Sequence, residues 1–73
     1  TNKMKTLQFN HSIEGSITIR VEDQNVGHIN YSEGKVTAVI SYEGTTQNVS
    51  YKSLEQARKD IAGYFANLDV YEF

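Results

Sequence analysis

The chain contains no cysteine and no proline. Without cysteine, neither a disulfide nor a thiolate zinc site can staple the domain, which fits a reducing cytosolic setting better than secretion. Without proline, no strand carries the residue that removes a ladder donor, so extended segments keep their backbone groups available for pairing. No apolar run approaches the ~20 residues of a membrane span, and Thr1-Asn2-Lys3-Met4-Lys5 is not followed by the hydrophobic region of a leader. The expectation is a soluble, cytoplasmic protein. Charge of one sign is also missing: seven basic and nine acidic residues are dispersed for a net charge of -2, without the one-sided cationic footprint of a nucleic-acid binder.

The 73 residues make a single domain, 1–73. A domain of this size buries about 60% of the surface its unfolded chain exposes, leaving little free energy for a strained active site. Thr1 is the kind of small residue left when an initiator methionine is trimmed, which predicts a complete small open reading frame.

What the chain does have is period-2 alternation. Leu7 and Phe9 mark a first strand from about Lys5 to Asn10. Ile17, Ile19 and Val21 alternate with Thr18, Arg20 and Glu22 in a second, and Asp23-Gln24-Asn25 is turn chemistry. A third strand from Val26 to Tyr31 puts Gly27, Ile29 and Tyr31 on one face and Val26, His28 and Asn30 on the other. After a turn at Ser32-Glu33-Gly34-Lys35, the residues Val36, Ala38, Ile40 and Tyr42 share a face. Beyond Glu43-Gly44-Thr45, Gln47, Val49 and Tyr51 alternate with Thr46, Asn48 and Ser50 in a fifth strand. Such close spacing permits only antiparallel hairpins, because a parallel connection needs a crossover of a dozen residues or more.

One amphipathic helix follows, from Ser53 to about Leu68. Ser53 caps it, and Gln56 three residues on completes a capping box. Leu54, Ala57, Ile61, Phe65 and Leu68 form the apolar stripe. Glu55 precedes Arg58 and Lys59 at weakly stabilising spacings, and Gly63 either allows a close approach to the sheet or is merely tolerated. Val70, Tyr71 and Phe73 are too apolar to float free and are expected at a sheet edge or beside the helix. The fold class is therefore α+β: an antiparallel four- to five-stranded meander with one C-terminal amphipathic helix packed on one face.

No reactive constellation stands out. His11 and His28 lie on different strands with no carboxylate or thiol at ligand spacing, so no metal site, cofactor or catalytic residue is expected. No nucleophile-elbow context surrounds any serine. Three Asn-x-Ser sequons, at Asn10, Asn30 and Asn48, matter only in the secretory pathway, and two of them lie in predicted strands. Tyr31, Tyr42 and Tyr51 share the apolar parity of their strands and should point under the helix. The open face then shows Thr18, Arg20, His28, Asn30, Thr37, Val39, Ser41, Asn48 and Ser50, without an aromatic platform for stacking bases.

Hairpin turns alternate between the two ends of a meander, so Glu22-Asp23 and Glu43 fall at the same end. A 16-residue helix is about 24 Å long and an eight-residue strand about 26 Å, so the helix exit at Asp69, with Glu72 nearby, returns to that end. Glu22, Asp23, Glu43, Asp69 and Glu72 are the predicted partner-binding residues. Their charge sits awkwardly beside a helix C-terminus, which prefers cations, and would steer the protein toward a basic partner.

A strand meander followed by a helix opening Ser53-Leu54-Glu55-Gln56-Ala57 resembles several small phage-encoded inhibitors, including some anti-CRISPR proteins, as architecture and without a diagnostic motif. The resemblance implies a short, cysteine-poor, acidic domain that occludes a target's surface. The expected function is accordingly a non-enzymatic protein-binding module that engages another protein with a basic surface, through its acidic end or an exposed edge strand. The alternatives are a homo-oligomeric structural or adaptor domain pairing through a sheet edge, and a weak nucleic-acid binder using Arg20, His28 and Asn30.

Overall fold

A computed structural model describes residues 5–72, and the expectations attached to Thr1-Asn2-Lys3-Met4 and to Phe73 lie outside them. Five strands form the meander: β1 (Lys5–Ile13), β2 (Ser16–Val21), β3 (Gln24–Ser32), β4 (Lys35–Tyr42) and β5 (Thr45–Tyr51). The helix α1 (Leu54–Ala66) follows, and a short strand β6 (Val70–Glu72) completes a six-stranded sheet in the order β5-β4-β3-β2-β1-β6. The α+β class and the meander agree with the sequence reading; the number of strands does not. β6 adds a sixth, and it runs parallel to β1, with Val70 opposite Lys5 and Glu72 opposite Leu7. The helix is itself the crossover that a parallel connection requires.

Turn chemistry sets the register. Glu22 and Asp23 both have positive φ (49° and 68°), as do Glu43 and Gly44 (50° and 80°), which is the type I′ geometry that matches the twist of the flanking strands. The second turn is thus Glu22-Asp23, one to two residues earlier than composition suggested. That shift matters for Val26, which was expected on the open face. Ile19 pairs with Gly27 and Arg20 with Asn25, so Val26 is the extra residue of a β-bulge and its side chain enters the core, only 6% exposed. Gly27 follows it, against the backbone of β4. A Cβ at Gly27 would overlap the Val39 carbonyl oxygen and sit 2.9 Å from the Ile40 Cα, so β3 and β4 approach there more closely than any other residue permits.

The core consists of Leu7, Ile17, Ile19, Val21, Val26, Ile29, Val36, Ala38 and Ile40 from the sheet, Ala57, Ile61 and Phe65 from α1, and Val70 from β6. Tyr31, Tyr42 and Tyr51 pack against it, on the face expected of them. Ser53 has extended backbone (φ -147°, ψ 158°) and its Oγ accepts the Gln56 N–H at 3.1 Å, so the capping signal places the helix start correctly. The far end is shorter than expected: α1 stops at Ala66, and Leu68 lies beyond it with 43% of its surface exposed. Asp69 then takes a positive φ of 60° and its carbonyl accepts the Lys5 N–H, which hands the chain to β6. Of the apolar tail, Val70 is fully buried at the sheet edge, whereas Tyr71 is 38% exposed.

Two glycines test this account in opposite directions. Gly27→Ala forces overlap with backbone atoms and should destabilise the fold by about 1–3 kcal/mol or more. Gly63 is exposed inside a helix, and an alanine methyl there would meet no atom within 4 Å, so Gly63→Ala should stabilise by up to about 1 kcal/mol. Urea unfolding midpoints for the two variants check both signs.

Candidate functional site

The sheet curls around α1, and the two flanks of the helix hold its two sides. On one flank, Arg58 donates to Glu72 of β6 at 3.1 Å and lies 4.9 Å from the ring centroid of Phe9 in β1. On the other, the Tyr51 hydroxyl of β5 donates to the Asp60 carboxylate at 2.6 Å. Tyr42 and Tyr64 both meet Phe65 edge to face, with centroids 5.3 and 5.2 Å apart. Such aromatic pairs each contribute about 0.5–1.5 kcal/mol beyond their buried area.

The five predicted acidic residues do not form one cluster. Glu22 and Asp23 form the β2–β3 turn, and Asp69 stands across the first residues of β1: the Thr6 N–H donates to a Glu22 carboxylate oxygen at 3.3 Å, while the Lys5 N–H donates to the Asp69 carbonyl at 3.1 Å. Glu43, in the β4–β5 turn, is at the same end but two strand spacings, about 10 Å, further along the sheet. Glu72 lies along β6 and is paired with Arg58. Cations share this end too. Lys5 begins β1 there, and Arg20 reaches the Asp23 carbonyl with its Nη2 at 2.8 Å. All four non-glycine residues with positive φ among the described residues, Glu22, Asp23, Glu43 and Asp69, belong to this predicted set.

The open face carries the polar residues expected. Thr18, His28, Val39 and Asn48 form one cross-strand row, and the Ser41 and Thr46 hydroxyls stand 3.3 Å apart. Among the described residues, no group of three or more histidine, aspartate or glutamate side chains is placed to hold a metal ion. No helix there is long and apolar enough to cross a membrane.

The edges of the sheet differ sharply, and sequence reading did not separate them. At the β1–β6 side, β6 is three residues long, β1 is irregular between Asn10 and Ile13, and the Arg58–Glu72 pair lies across the rim. Short strands, bulges and charges are the devices that discourage edge pairing. At the other side, β5 has none of them. Thr45-Thr46-Gln47-Asn48-Val49-Ser50-Tyr51 carries no charge and no proline, and its register with β4 is unbroken from Tyr42–Thr45 to Val36–Tyr51. A type I′ turn closes with a bond from the Thr45 N–H to the Tyr42 carbonyl. Thr45, Gln47, Val49 and Tyr51 therefore spend their backbone groups on β4, and Thr46, Asn48 and Ser50 turn theirs outward.

Beside that edge runs an open groove of about 660 Å³, between Gln47 of β5 and Asp60, Gly63 and Tyr64 of α1. Gly63 contributes no side chain to it, and Val49, on the helix-facing row, is 37% exposed. An incoming strand would thus find three outward N–H and three outward C=O groups, with a groove for the side chains on its inner face. Comparison with protein-family profiles, characterised proteins and solved structures gave no match.

Tyr51, whose hydroxyl meets the groove-lining Asp60, is held protonated. Burial first, then the hydrogen bond to Asp60 and its negative charge, push the phenol from 10.0 up to about 12. A group whose pKa rises on folding favours the folded state in full below its unfolded value, so this contribution is present below pH 10 and lost as pH climbs toward about 12. Tyrosinate absorbance in an alkaline titration should show one of the tyrosines ionising last. Asp60→Asn should move it only part of the way back, because burial is the larger cause.

Proposed function

We propose that the protein is a non-enzymatic protein-binding module that recognises another polypeptide by strand addition at the β5 edge. The observation that carries this reading is the contrast between the two edges: every edge-blunting device lies at β1 and β6, and none at β5. In β-augmentation, main-chain hydrogen bonds supply affinity and alternate side chains supply specificity. Here the outward amides of Thr46, Asn48 and Ser50 serve the first purpose. The groove beside Gln47, Gly63 and Tyr64 serves the second.

A second reading engages the acidic end. It is favoured by one observation: Glu22, Asp23, Glu43 and Asp69 are all held at positive φ, where glutamate is an uncommon choice. On that reading the turns present carboxylates to a basic protein surface and speed its encounter. A phage or mobile-element inhibitor that covers a basic, nucleic-acid-processing protein is one form such a module takes. The nucleic-acid alternative has weaker support, because Arg20 is tied to the Asp23 carbonyl, and Lys35, which lines a recess with Asn30, stands toward the opposite end of the sheet.

Asn48→Pro separates the two main readings. The substitution removes an outward N–H and leaves the β4 ladder untouched, an edge position where proline is tolerated. With the protein immobilised and exposed to host-cell lysate, a partner bound by strand addition should be retained by the wild type. Asn48→Pro should reduce its retention by about tenfold or more, equivalent to 1.4 kcal/mol. Retention that survives Asn48→Pro, but falls with salt and with Glu22→Gln, Asp23→Asn and Glu43→Gln together, would transfer the function to the acidic end.

A further inference from the structure

We infer that β5 pairs with a second copy of itself, antiparallel and centred on Asn48, to join two sheets into one. The inference rests on the strand-addition reading and names its occupant. Three features converge on this arrangement.

The first is register. The outward backbone groups belong to Thr46, Asn48 and Ser50 alone. In an antiparallel pair, placing Asn48 opposite Asn48 of the partner subunit sets Thr46 opposite Ser50 of the partner subunit, and the reverse. All three residues on each chain then exchange both of their bonds. A shift of two residues in either direction leaves one of the three unmatched, and a shift of one places outward groups against inward ones.

Charge is the second feature. The seven residues of β5 are uncharged, and they are bracketed by Glu43 in the turn before the strand and Lys52 after it. In the Asn48-centred register, the Glu43-Gly44 turn of each copy comes beside Lys52 of the partner subunit. The two-fold axis produces that complementary contact twice. A parallel arrangement would instead set glutamate by glutamate and lysine by lysine, which repels.

The third is the side-chain surface on each face. On the open face, Thr46, Asn48 and Ser50 would continue the polar row already begun by the Ser41–Thr46 contact, with hydroxyl and amide groups able to bond across the strands. On the helix face, the half-exposed Val49 would lie opposite Gln47 of the partner subunit, and the two grooves would merge beneath a pair of helices on the same side of the sheet.

The chain lacks cysteine, so a single introduced thiol reports on the axis. Residues opposite one another in a hydrogen-bonded antiparallel pair have Cα atoms about 5.5 Å apart, within disulfide range. Asn48→Cys should therefore cross-link under mild oxidation at least about tenfold faster than Thr46→Cys or Ser50→Cys alone, whose thiols stand on the order of 13 Å from their symmetry mates. Thr46→Cys mixed with Ser50→Cys should cross-link as Asn48→Cys does. Light scattering should show mass rising from one chain toward two with concentration. Lys52→Glu and Glu43→Lys should each weaken that association, and the double reversal should restore it, without any change to the β4–β5 ladder.

Constant single-chain mass up to millimolar protein, with Asn48→Cys cross-linking no faster than Thr46→Cys, would overturn self-pairing. If Asn48→Pro then still abolished retention of a lysate partner, strand addition would stand with a different occupant. If retention were unchanged by Asn48→Pro, both readings would fall together.

Discussion

The structure depends on one helix covering the inner face of six strands. α1 has 13 residues and is about 20 Å long. A flat six-stranded sheet spans five spacings of about 4.8 Å, wider than the 10–12 Å breadth of a helix with its side chains. The sheet can bury its apolar face under a single helix only by curling around it. Ala57, Ile61 and Phe65 fill the middle, while Arg58 and Asp60, two residues apart and on opposite flanks, tie the two sides of the curl to the helix. The Arg58–Glu72 contact is weak alone, since the pair is about 40% exposed and such pairs contribute little; the Tyr51–Asp60 bond is a short one to a carboxylate and the firmer of the two. Their role is positional: they fix where the sheet sides stop.

That constraint leaves the two edges unequal. The side that meets Arg58 is extended by β6, so Val70 is sealed and the edge is short. The side that meets Asp60 ends at β5, whose inner row is covered only in part: Gln47 and Tyr51 are half-buried and Val49 is more exposed than either. The groove beside Gly63 is the space the helix fails to cover. An open strand and an open groove are thus the same geometric consequence, seen on the sheet and on the helix.

Alternation and capping were enough to read β1 through β5 and the helix start, because each signal is local: period 2 in Val36 to Tyr42, and Ser53 three residues before Gln56. Three features escaped because they depend on distant partners. Val26 has the parity of the open face, and only the Arg20–Asn25 and Ile19–Gly27 pairings reveal the bulge that turns it inward. Leu68 continues the helical stripe, but the chain must leave α1 at Ala66 for Asp69 to meet Lys5. β6 is three residues long, too short for any periodicity, and its apolar tail announced burial without announcing a parallel partner. The same limit governs the candidate site. The shared end of the hairpin turns follows from chain order alone, and so does the presence of Lys5 there, since β1 starts where β2 ends; the status of β5 as the undefended edge follows only once β6 is placed beside β1.

The acidic end and the β5 edge meet at Glu43. Its turn closes the hairpin that orients β5, and its carboxylate marks one limit of the uncharged window whose other limit is Lys52. A strand laid along β5 therefore meets negative charge at one end and positive charge at the other. That polarity selects occupants: an antiparallel strand must carry the same order, acidic before and basic after, and a parallel strand the opposite order. β5 itself has the first order. Backbone groups would accept any extended segment, so the two bracketing charges are what give this edge a direction, and a neutral strand between them is what leaves the edge open to be used.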